Sequence, residues 1–368
     1  MNRLLMTADT VGGVWSYAVE LVSAFSRYGL EVALVTMGKN LDRSQRMDLH
    51  GLKNVELFEG RYKLEWMRDP WEEIDLAAEW ISSIAEIVCP DLVHLNQYAF
   101  GAVDWPCPVV MGAHSCVYSW FRNVKRELPS KEDWGEYKKR VKDGLEGADC
   151  IVAPTIHMLS SIYENYSVST RGLVINNGRS RHQFIPLVKD PYVLTAGRLW
   201  DEGKNIKLIA SVAHRLPWQV VAAGESLTTN GQPQVHWLGK CSSFELANWM
   251  GSASIYTLPA KYEPFGLSVL EAALCGCALV LGDIPSLREI WGNGAVYVNP
   301  EDDDALLDTL LELIHKPWLR REYSERARQK GLEYTVSKMA SSYLHLYREL
   351  IAEKKRELNR GREGVLCA

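Results

Sequence analysis

The 368-residue sequence predicts an α/β protein built from two doubly wound parallel-sheet domains. Three observations carry that expectation. At about 150 residues per domain, the length suits two domains that each bury their own core. The first forty residues read strand, helix, strand, which is the repeating unit of a parallel sheet. The same grammar then restarts at Tyr192, after a stretch interrupted by prolines and charges.

Taken in order, residues 3–7 (RLLMT) form a short apolar strand that runs into the turn Asp9-Thr10-Val11-Gly12-Gly13. From Val14 the apolar residues Ala18, Leu21, Val22 and Phe25 keep helical spacing, Gly29 closes that helix, and Glu31–Met37 is the second strand. Further strands are expected at Leu92–Leu95, 109–113 and Cys150–Ala153, alternating with helices around 75–88 and 134–145. After the restart comes a strand at 192–196, a Gly-Arg turn, a helix through Leu208, Ile209, Val212 and Leu216, and a strand at Gln219–Ala223. Strands at 235–238, 255–258, 278–281 and 295–298 follow, and 337–356 is a long amphipathic helix leading into a charged tail. The expected division is an N-terminal domain over 1–188, a C-terminal domain over 189–336, and a final helix over 337–368 that packs back toward the N-terminal domain.

Composition bounds the function. Charged residues are 24% and hydrophobic residues 47% of the chain, which suits a compact globular protein and excludes disorder or a fibrous repeat. With 41 Lys and Arg against 46 Asp and Glu, the net charge is −5, so nothing calls for nucleic acid as a partner. The cysteines at 89, 107, 116, 150, 241, 275, 277 and 367 form no C-x-x-C pair or Cys/His zinc spacing, and they read as reduced thiols in a cytoplasmic compartment. The start lacks a signal-peptide pattern, and no segment approaches the roughly 18 apolar residues of a membrane span.

Ligands of doubly wound sheets sit at the carboxyl ends of the strands, which directs attention to the loops after residues 7, 196 and 258. The third loop reads Lys261-Tyr262-Glu263-Pro264-Phe265-Gly266-Leu267-Ser268-Val269-Leu270-Glu271, with a helix expected to begin near Leu267. That helix start offers the N–H groups of Phe265, Gly266, Leu267 and Ser268 as a seat for a phosphate or a sugar hydroxyl. Glu263 precedes the seat and Glu271 stands one turn beyond Leu267 on the same face, an arrangement suited to a ligand rich in hydroxyls. Glu271 also opens an apolar helix-to-strand passage, where a carboxylate without a partner is costly.

The second loop, Gly197-Arg198-Leu199-Trp200-Asp201-Glu202-Gly203-Lys204-Asn205, supplies the cations Arg198 and Lys204, suited to phosphate oxygens. It is not a P-loop: five residues separate Gly197 from Gly203, and Asn205 stands where a magnesium-binding Ser or Thr is required. The alternative is a pair of surface cations beside Asp201 and Glu202. In the first loop, Gly12 and Gly13 either admit a ligand close to the helix start or form a plain tight turn; the absence of G-x-G-x-x-G disfavours a dinucleotide cofactor. His114, just after the strand at 109–113, faces the same carboxyl edge. Glu301-Asp302-Asp303-Asp304 contains D-x-D but precedes a helix, so it reads as capping, and no metal is assigned.

These residues resemble the retaining glycosyltransferases of family 4, most densely between Tyr192 and Asp304 in AGRLWDEGKN, VHWLGK, PAKYEPFGLSVLEAALCGCALVLGDIPSLREI and AVYVNPEDDDAL. The Glu-x7-Glu spacing of Glu263 and Glu271 is the strongest mark, supported by DTVGGVW near the start and INNG at 175–178. The resemblance implies a GT-B fold, two facing Rossmann-like domains with a cleft between them. It implies that Glu271 binds the ribose hydroxyls, that Arg198 and Lys204 bind the diphosphate, and that Gly13, beside Gly12, brings its amide toward the phosphate. Glu263 would hold the donor sugar beside the Phe265, Gly266 and Leu267 amides, Ser268 would join the phosphate seat, Lys240 would lie along the base, and His114 would hydrogen-bond the sugar. Gly203 precedes Lys204 here, a variant of the family's spacing, and Lys207 is the spare candidate for the phosphate lysine.

The expected activity is metal-independent transfer, with retention, of a hexose (glucose from UDP-glucose) to a carbohydrate or glycan acceptor in polysaccharide or glycoconjugate synthesis, with a nucleotide sugar as co-substrate and no cofactor. Alternatives are a GT-B sugar epimerase or phosphorylase, which needs no separate sugar acceptor, and a nucleotide-sugar-binding scaffold without turnover. The segment 120–126 (WFRNVKR), followed by Lys138, Lys139, Arg140 and Lys142, reads either as a surface for an anionic membrane and a lipid-linked acceptor or as a solvated helix face with Glu127, Glu132 and Glu136 interspersed.

Overall fold

A computed structural model of the chain describes residues 1–225 and 234–366; Cys367 lies outside the described residues. The chain divides into two compact units. The first comprises Met1–Ser119, Pro129–Asn176 and Val336–Ala368, and the second Trp120–Leu128 and Asn177–Thr335.

In the first unit, strands β1 (Arg3–Asp9), β2 (Glu31–Met37), β3 (Val55–Glu59), β4 (Leu92–Leu95), β5 (Val109–Gly112), β6 (Cys150–Ala153) and β7 (Gly172–Val174) form one parallel sheet in the order β3-β2-β1-β4-β5-β6-β7. Helices α1 (Gly13–Phe25), α2 (Arg43–Leu49), α3 (Trp71–Val88), α4 (Val117–Trp120), α5 (Lys131–Gly147) and α6 (Ile156–Tyr166) connect its strands. The helix starts carry local signals: Asp42 and Gln45 make a reciprocal capping box on α2, and the hydroxyls of Ser130 and Thr155 cap α5 and α6. Strands β1, β4, β5 and β6 are almost wholly buried, because helices cover both faces of a parallel sheet. The edge strands β3 and β7 are only half-buried, and their sequences lack the apolar run that marks the inner strands.

The second sheet contains β8 (Asp190–Ala196), β9 (Gln219–Ala223), β10 (Val235–Gly239), β11 (Ala253–Leu258), β12 (Ala278–Gly282) and β13 (Val296–Val298), all parallel, in the order β10-β9-β8-β11-β12-β13. Its helices are α7 (Ile206–Val212), α8 (Ser243–Ser252), α9 (Leu267–Leu274), α10 (Pro285–Trp291), α11 (Asp303–His315) and α12 (Pro317–Gly331). One hydrophobic cluster, with Leu270, Leu281 and Trp291 among its members, fills one face of this sheet, and another, with Val193, Ile255 and Leu310, fills the other. In both units the strand order reverses direction beside the first strand of the sheet, so the carboxyl ends of β1/β4 and of β8/β11 are topological switch points.

The last helix, α13 (Val336–Leu366), belongs to the first unit. Its buried Tyr343 and Tyr347 lie against Tyr17 and Phe25 of α1 and against His94 of β4. The change of unit thus falls at Asn176/Asn177 rather than near residue 188. Residues Ile185, Leu187 and Val188 are exposed, yet Leu187 N–H donates to Gly251 O at 3.0 Å, which ties the proline-broken stretch to the second unit.

Candidate functional site

The loops at the carboxyl edge of the second sheet are joined by their own backbone and by one amide side chain. Lys261 N–H and Tyr262 N–H donate to Gly203 O at 2.9 and 3.2 Å, which fastens the loop after β11 to the loop after β8. Asn205 adopts a left-handed conformation (φ 58°), and its Nδ2 donates to Pro259 O at 2.9 Å and Pro300 O at 2.7 Å. The residue that disqualifies a P-loop therefore ties together the loops that follow β8, β11 and β13.

Within this frame three cations meet three carboxylates. Lys204 Nζ lies 2.5 Å from Glu263 Oε2, Arg198 Nη2 lies 3.0 Å from Asp201 Oδ2, and Arg179 holds Glu271 Oε1 through Nε at 2.7 Å and Nη2 at 2.6 Å. Glu263, Glu271, Asp201 and Arg179 are all buried, and buried charges persist when they are paired. Glu263 Oε1 also accepts from Gly266 N–H at 3.0 Å, and Ser286 Oγ donates to Glu263 O at 2.6 Å. Gly266 has φ 91°, and a side chain there would approach Val269 Cγ2 to 3.0 Å, so the turn that folds Glu263 back onto the start of α9 needs glycine. The Gly266 amide, expected as a free donor of the anion seat, donates to Glu263 instead, which corrects the expectation at that one of the four amides; Leu267 and Ser268 are the first residues of α9.

Asp201 gathers more donors than its loop position suggests. Its Oδ1 accepts from Gly203 N–H at 2.9 Å and from the Trp120 indole N–H at 2.9 Å. Burial by itself pushes its carboxyl up, but the Lys204 ammonium and the Arg198 guanidinium, with these hydrogen bonds, hold it below the usual carboxylate value. Ser268 Oγ and Ala196 O lie 2.9 and 3.1 Å from Tyr256 Oη, which links the first turn of α9 to the end of β8. Phe265 is buried edge-on against Tyr334 at 5.7 Å between ring centres.

The other expected residues sit elsewhere. Lys240 is exposed just past β10. Lys207 lies on α7 in a groove it lines with Lys261, Glu301 and Asp303, so Lys204 is the lysine that reaches Glu263. The D-x-D run caps a helix: Asp302 Oδ1 accepts from Ala305 N–H at 2.8 Å at the start of α11. Among the described residues no group of three or more His, Cys, Asp or Glu is placed to hold a metal ion, and no helix is long and apolar enough to cross a membrane.

In the first unit, Gly12 (φ 87°) precedes α1 and Gly13 opens it, both exposed at the carboxyl end of β1. His114 follows β5, half-buried, its ring 4.4 Å from that of Tyr17 and its Nε2 2.8 Å from Asn96 Oδ1. Burial pushes its imidazole down to about 4. The basic-aromatic segment Trp120–Leu128 is counted with the second unit, where Lys125 Nζ lies 2.6 Å from Glu202 Oε2 and Arg126 Nη2 3.7 Å from Glu301 Oε1. Farther along, Lys139, Arg140 and Lys142 pair with Asp143, Glu136 and Glu146.

The sequence reading missed Arg179 and Asp201 as members of the cluster. Arg179 directly follows INNG but is 92 residues from Glu271, and no local pattern links them. Asp201 could have been suspected from its place between Arg198 and Lys204, where it read as an ordinary surface acid.

Two parallel doubly wound units of this kind make up the GT-B fold, and solved structures share it along nearly the whole chain. Sucrose-phosphate synthase from Thermosynechococcus elongatus superposes with a TM-score of 0.81 at 17% identity, covering 96% of this chain and all of that one. The Anabaena protein HepE, solved in complex with UDP-glucose, superposes with a TM-score of 0.72 at 15% identity, covering 97% and 100% of the two chains. Residues 11–181 match the model for Glycosyltransferase Family 4, and residues 179–330 match that for Glycosyl transferases group 1. Together these matches take in most of the sequence, and the chain belongs to the GT-B glycosyltransferases. Among curated relatives, O-antigen chain mannosyltransferase B of Escherichia coli is 24% identical over 46% of this chain and 41% of its own length. The N,N'-diacetylbacillosaminyl-diphospho-undecaprenol alpha-1,3-N-acetylgalactosaminyltransferase of Campylobacter jejuni is 30% identical over 44% of this chain and 46% of its own. The chain thus spans about half the length of these curated relatives.

Proposed function

We propose that this protein transfers a hexose, with retention and without a metal, from a nucleoside-diphosphate sugar to a glycan acceptor, and that the donor is UDP-glucose. The observation that carries this reading is the cluster of paired charges at the carboxyl edge of the second sheet: Lys204 with Glu263, Arg198 with Asp201 and Arg179 with Glu271. Departure of a nucleoside diphosphate puts negative charge on its phosphates, and fixed cations aimed at that charge lower the barrier. Arg198 and Lys204 are those cations, aided by the opening turn of α9. Glu263, held by Lys204 and the Gly266 amide, receives sugar hydroxyls, and Glu271, oriented by Arg179, receives the ribose hydroxyls. The acceptor hydroxyl attacks on the face the diphosphate leaves, so an α-linked donor yields an α-linked product. The solved complex of HepE with UDP-glucose supports the choice of donor, and the lipid-linked substrate named for the Campylobacter relative supports a glycan acceptor on a lipid carrier.

The first experiment is a thermal-shift panel of UDP, GDP, ADP and ATP in the absence of metal. A stabilising shift with UDP, lost in Glu271→Ala and Arg198→Ala, is expected; a shift confined to ATP with magnesium would sink the reading. Donor hydrolysis and transfer should disappear in Glu263→Ala while nucleotide binding remains. Equal turnover by that variant and the wild type would remove Glu263 from the chemistry.

A further inference from the structure

Residues Trp120–Leu128, counted with the second unit, grip the loop that carries Arg198 and Lys204. Phe121–Lys125 winds as a π-helix, a rare form that is frequent at functional sites, and Arg126 leaves it with a left-handed backbone (φ 61°). Lys125 Nζ lies 2.6 Å from Glu202 Oε2 and 5.6 Å over the Trp120 ring, and Arg126 Nη2 lies 3.7 Å from Glu301 Oε1. Both of those ion pairs are exposed, and such pairs contribute little by themselves. The contact between Trp120 and Asp201 differs, because the Asp201 carboxylate is buried. An indole N–H can only donate, so at 2.9 Å from Asp201 Oδ1 the bond has one sense.

The same Oδ1 accepts from Gly203 N–H at 2.9 Å, and two donors on one oxygen fix the carboxylate plane, leaving Oδ2 to hold Arg198 Nη2 at 3.0 Å. The Arg198 guanidinium also lies 5.5 Å over the Trp200 ring, its side chain is 36% exposed, and its other N–H groups have no partner among the described residues. A guanidinium tied by one nitrogen presents the rest of its fork to a phosphate. The glycine ahead of Lys204 belongs to the same device: a Cβ at Gly203 would lie 3.0 Å from Asp201 Oδ1, 3.2 Å from Trp120 Nε1 and 3.4 Å from Tyr262 O. We propose that Trp120 is a positioning residue for the diphosphate: its indole N–H locks Asp201 so that Arg198 is held with its free N–H groups turned to the phosphates, and Gly203 is glycine to admit that lock. The proposal rests on the reading of Arg198 as a phosphate-binding residue.

Calorimetric titration of the full chain with UDP, GDP and ADP, and with the matching nucleosides, tests this. Trp120→Phe keeps the ring and removes the donor. A diphosphate carries the charge that Arg198 meets and a nucleoside does not, so the variant should bind the preferred diphosphate roughly fivefold or more weakly while its nucleoside stays within about twofold of the wild type. A loosened unit weakens both ligands alike, and that result, or an unchanged diphosphate affinity, overturns the proposal. In an Arg198→Ala background, Trp120→Phe should cause no further loss of diphosphate affinity, because the indole acts through that guanidinium; an additive loss overturns the proposal as well. Gly203→Ala, which presses on the Asp201–Trp120 bond without altering either partner, is expected to show the same split between diphosphate and nucleoside, and it carries the test if Trp120→Phe fails to fold. A wild-type protein that binds none of the three diphosphates overturns the functional reading and this proposal with it. Normal diphosphate binding in both Trp120→Phe and Gly203→Ala overturns this proposal alone.

Discussion

Arg179 and Glu271, 92 positions apart in the chain, close a buried ion pair in which both Nε and Nη2 of the guanidinium reach one carboxylate oxygen. Arg179 also lies 4.9 Å over the Phe184 ring, and its backbone N–H donates to Tyr334 O at 3.2 Å, so the cation is held on several sides. Glu271 is thereby oriented by a residue from a segment that precedes β8.

Removing the cation alone strands a buried carboxylate. Arg179→Met is expected to lower stability by about 3–5 kcal/mol, the usual cost of breaking a buried pair. Arg179→Met combined with Glu271→Gln should recover part of that loss. Urea denaturation of the two variants and the wild type is the check; equal destabilisation in the single and the double variant would refute the coupling.

Asp201 should act as a structural hub for the loop that carries Arg198 and Lys204. Asp201→Ala removes the acceptor of the Trp120 and Gly203 N–H groups and is expected to cost about 1–3 kcal/mol and to weaken nucleoside-diphosphate binding. Calorimetric titration with UDP tests the second part. Its lowered carboxyl pKa means that its contribution is fully present above the unfolded value and is lost as pH falls through the folded one.

Glu65 gives stability the opposite pH dependence. It is buried, accepts the Ala99 N–H at 2.6 Å, and is pushed up to about 7, chiefly by burial. With a folded value raised above the unfolded one, its contribution is present below about pH 4.5 and is lost as pH rises toward 7. A shift of that size corresponds to about 3 kcal/mol at alkaline pH. Glu65→Gln, which keeps the acceptor without the charge, should therefore be more stable than the wild type at pH 8 and similar to it at pH 4.5. Denaturant melts at the two pH values read this directly.

His94 works on the acid side. Burial, with His114 beside it, holds its imidazole down to about 3, while Nδ1 lies 2.6 Å from Tyr347 Oη on α13. The folded protein refuses a proton that the unfolded chain binds below about 6.5, so stability falls as pH drops from there toward 3, by up to about 1.4 kcal/mol per pH unit. His94→Gln should flatten that slope by one proton's worth in proton-linked unfolding.

The basic-aromatic segment offers an anionic surface little uncompensated charge, since Lys125, Arg126, Lys139, Arg140 and Lys142 each have an acidic partner. Flotation with anionic vesicles at physiological salt is therefore expected to be weak and little changed by Lys125→Ala with Arg126→Ala. Strong flotation abolished by that double substitution would restore the membrane reading.

What the sequence determined by itself was the set of inner strands, both sheets, and the loops that bear chemistry. Strands such as β6 and β12 are continuous apolar runs because a parallel sheet is covered on both faces, and continuous runs are visible in one dimension. Glu263, Gly266 and Glu271 were legible for a related reason, as the turn and the first helical residues that position them are neighbours in the chain. Edge strands β3 and β7 escaped, since one-sided burial leaves only a weak pattern over a few residues. Tertiary structure alone decided which charges meet. Arg179 finds Glu271, Trp120 finds Asp201 and Asn96 finds His114 through contacts between separate elements, and a buried charge or polar group is satisfied by whatever the fold brings within about 3 Å, a distance that sequence spacing does not encode. The final helix, expected from the sequence to pack back toward the N-terminal domain, is counted with the first unit, and which residues seat it was decided by the fold: its buried tyrosines pack on α1 and β4.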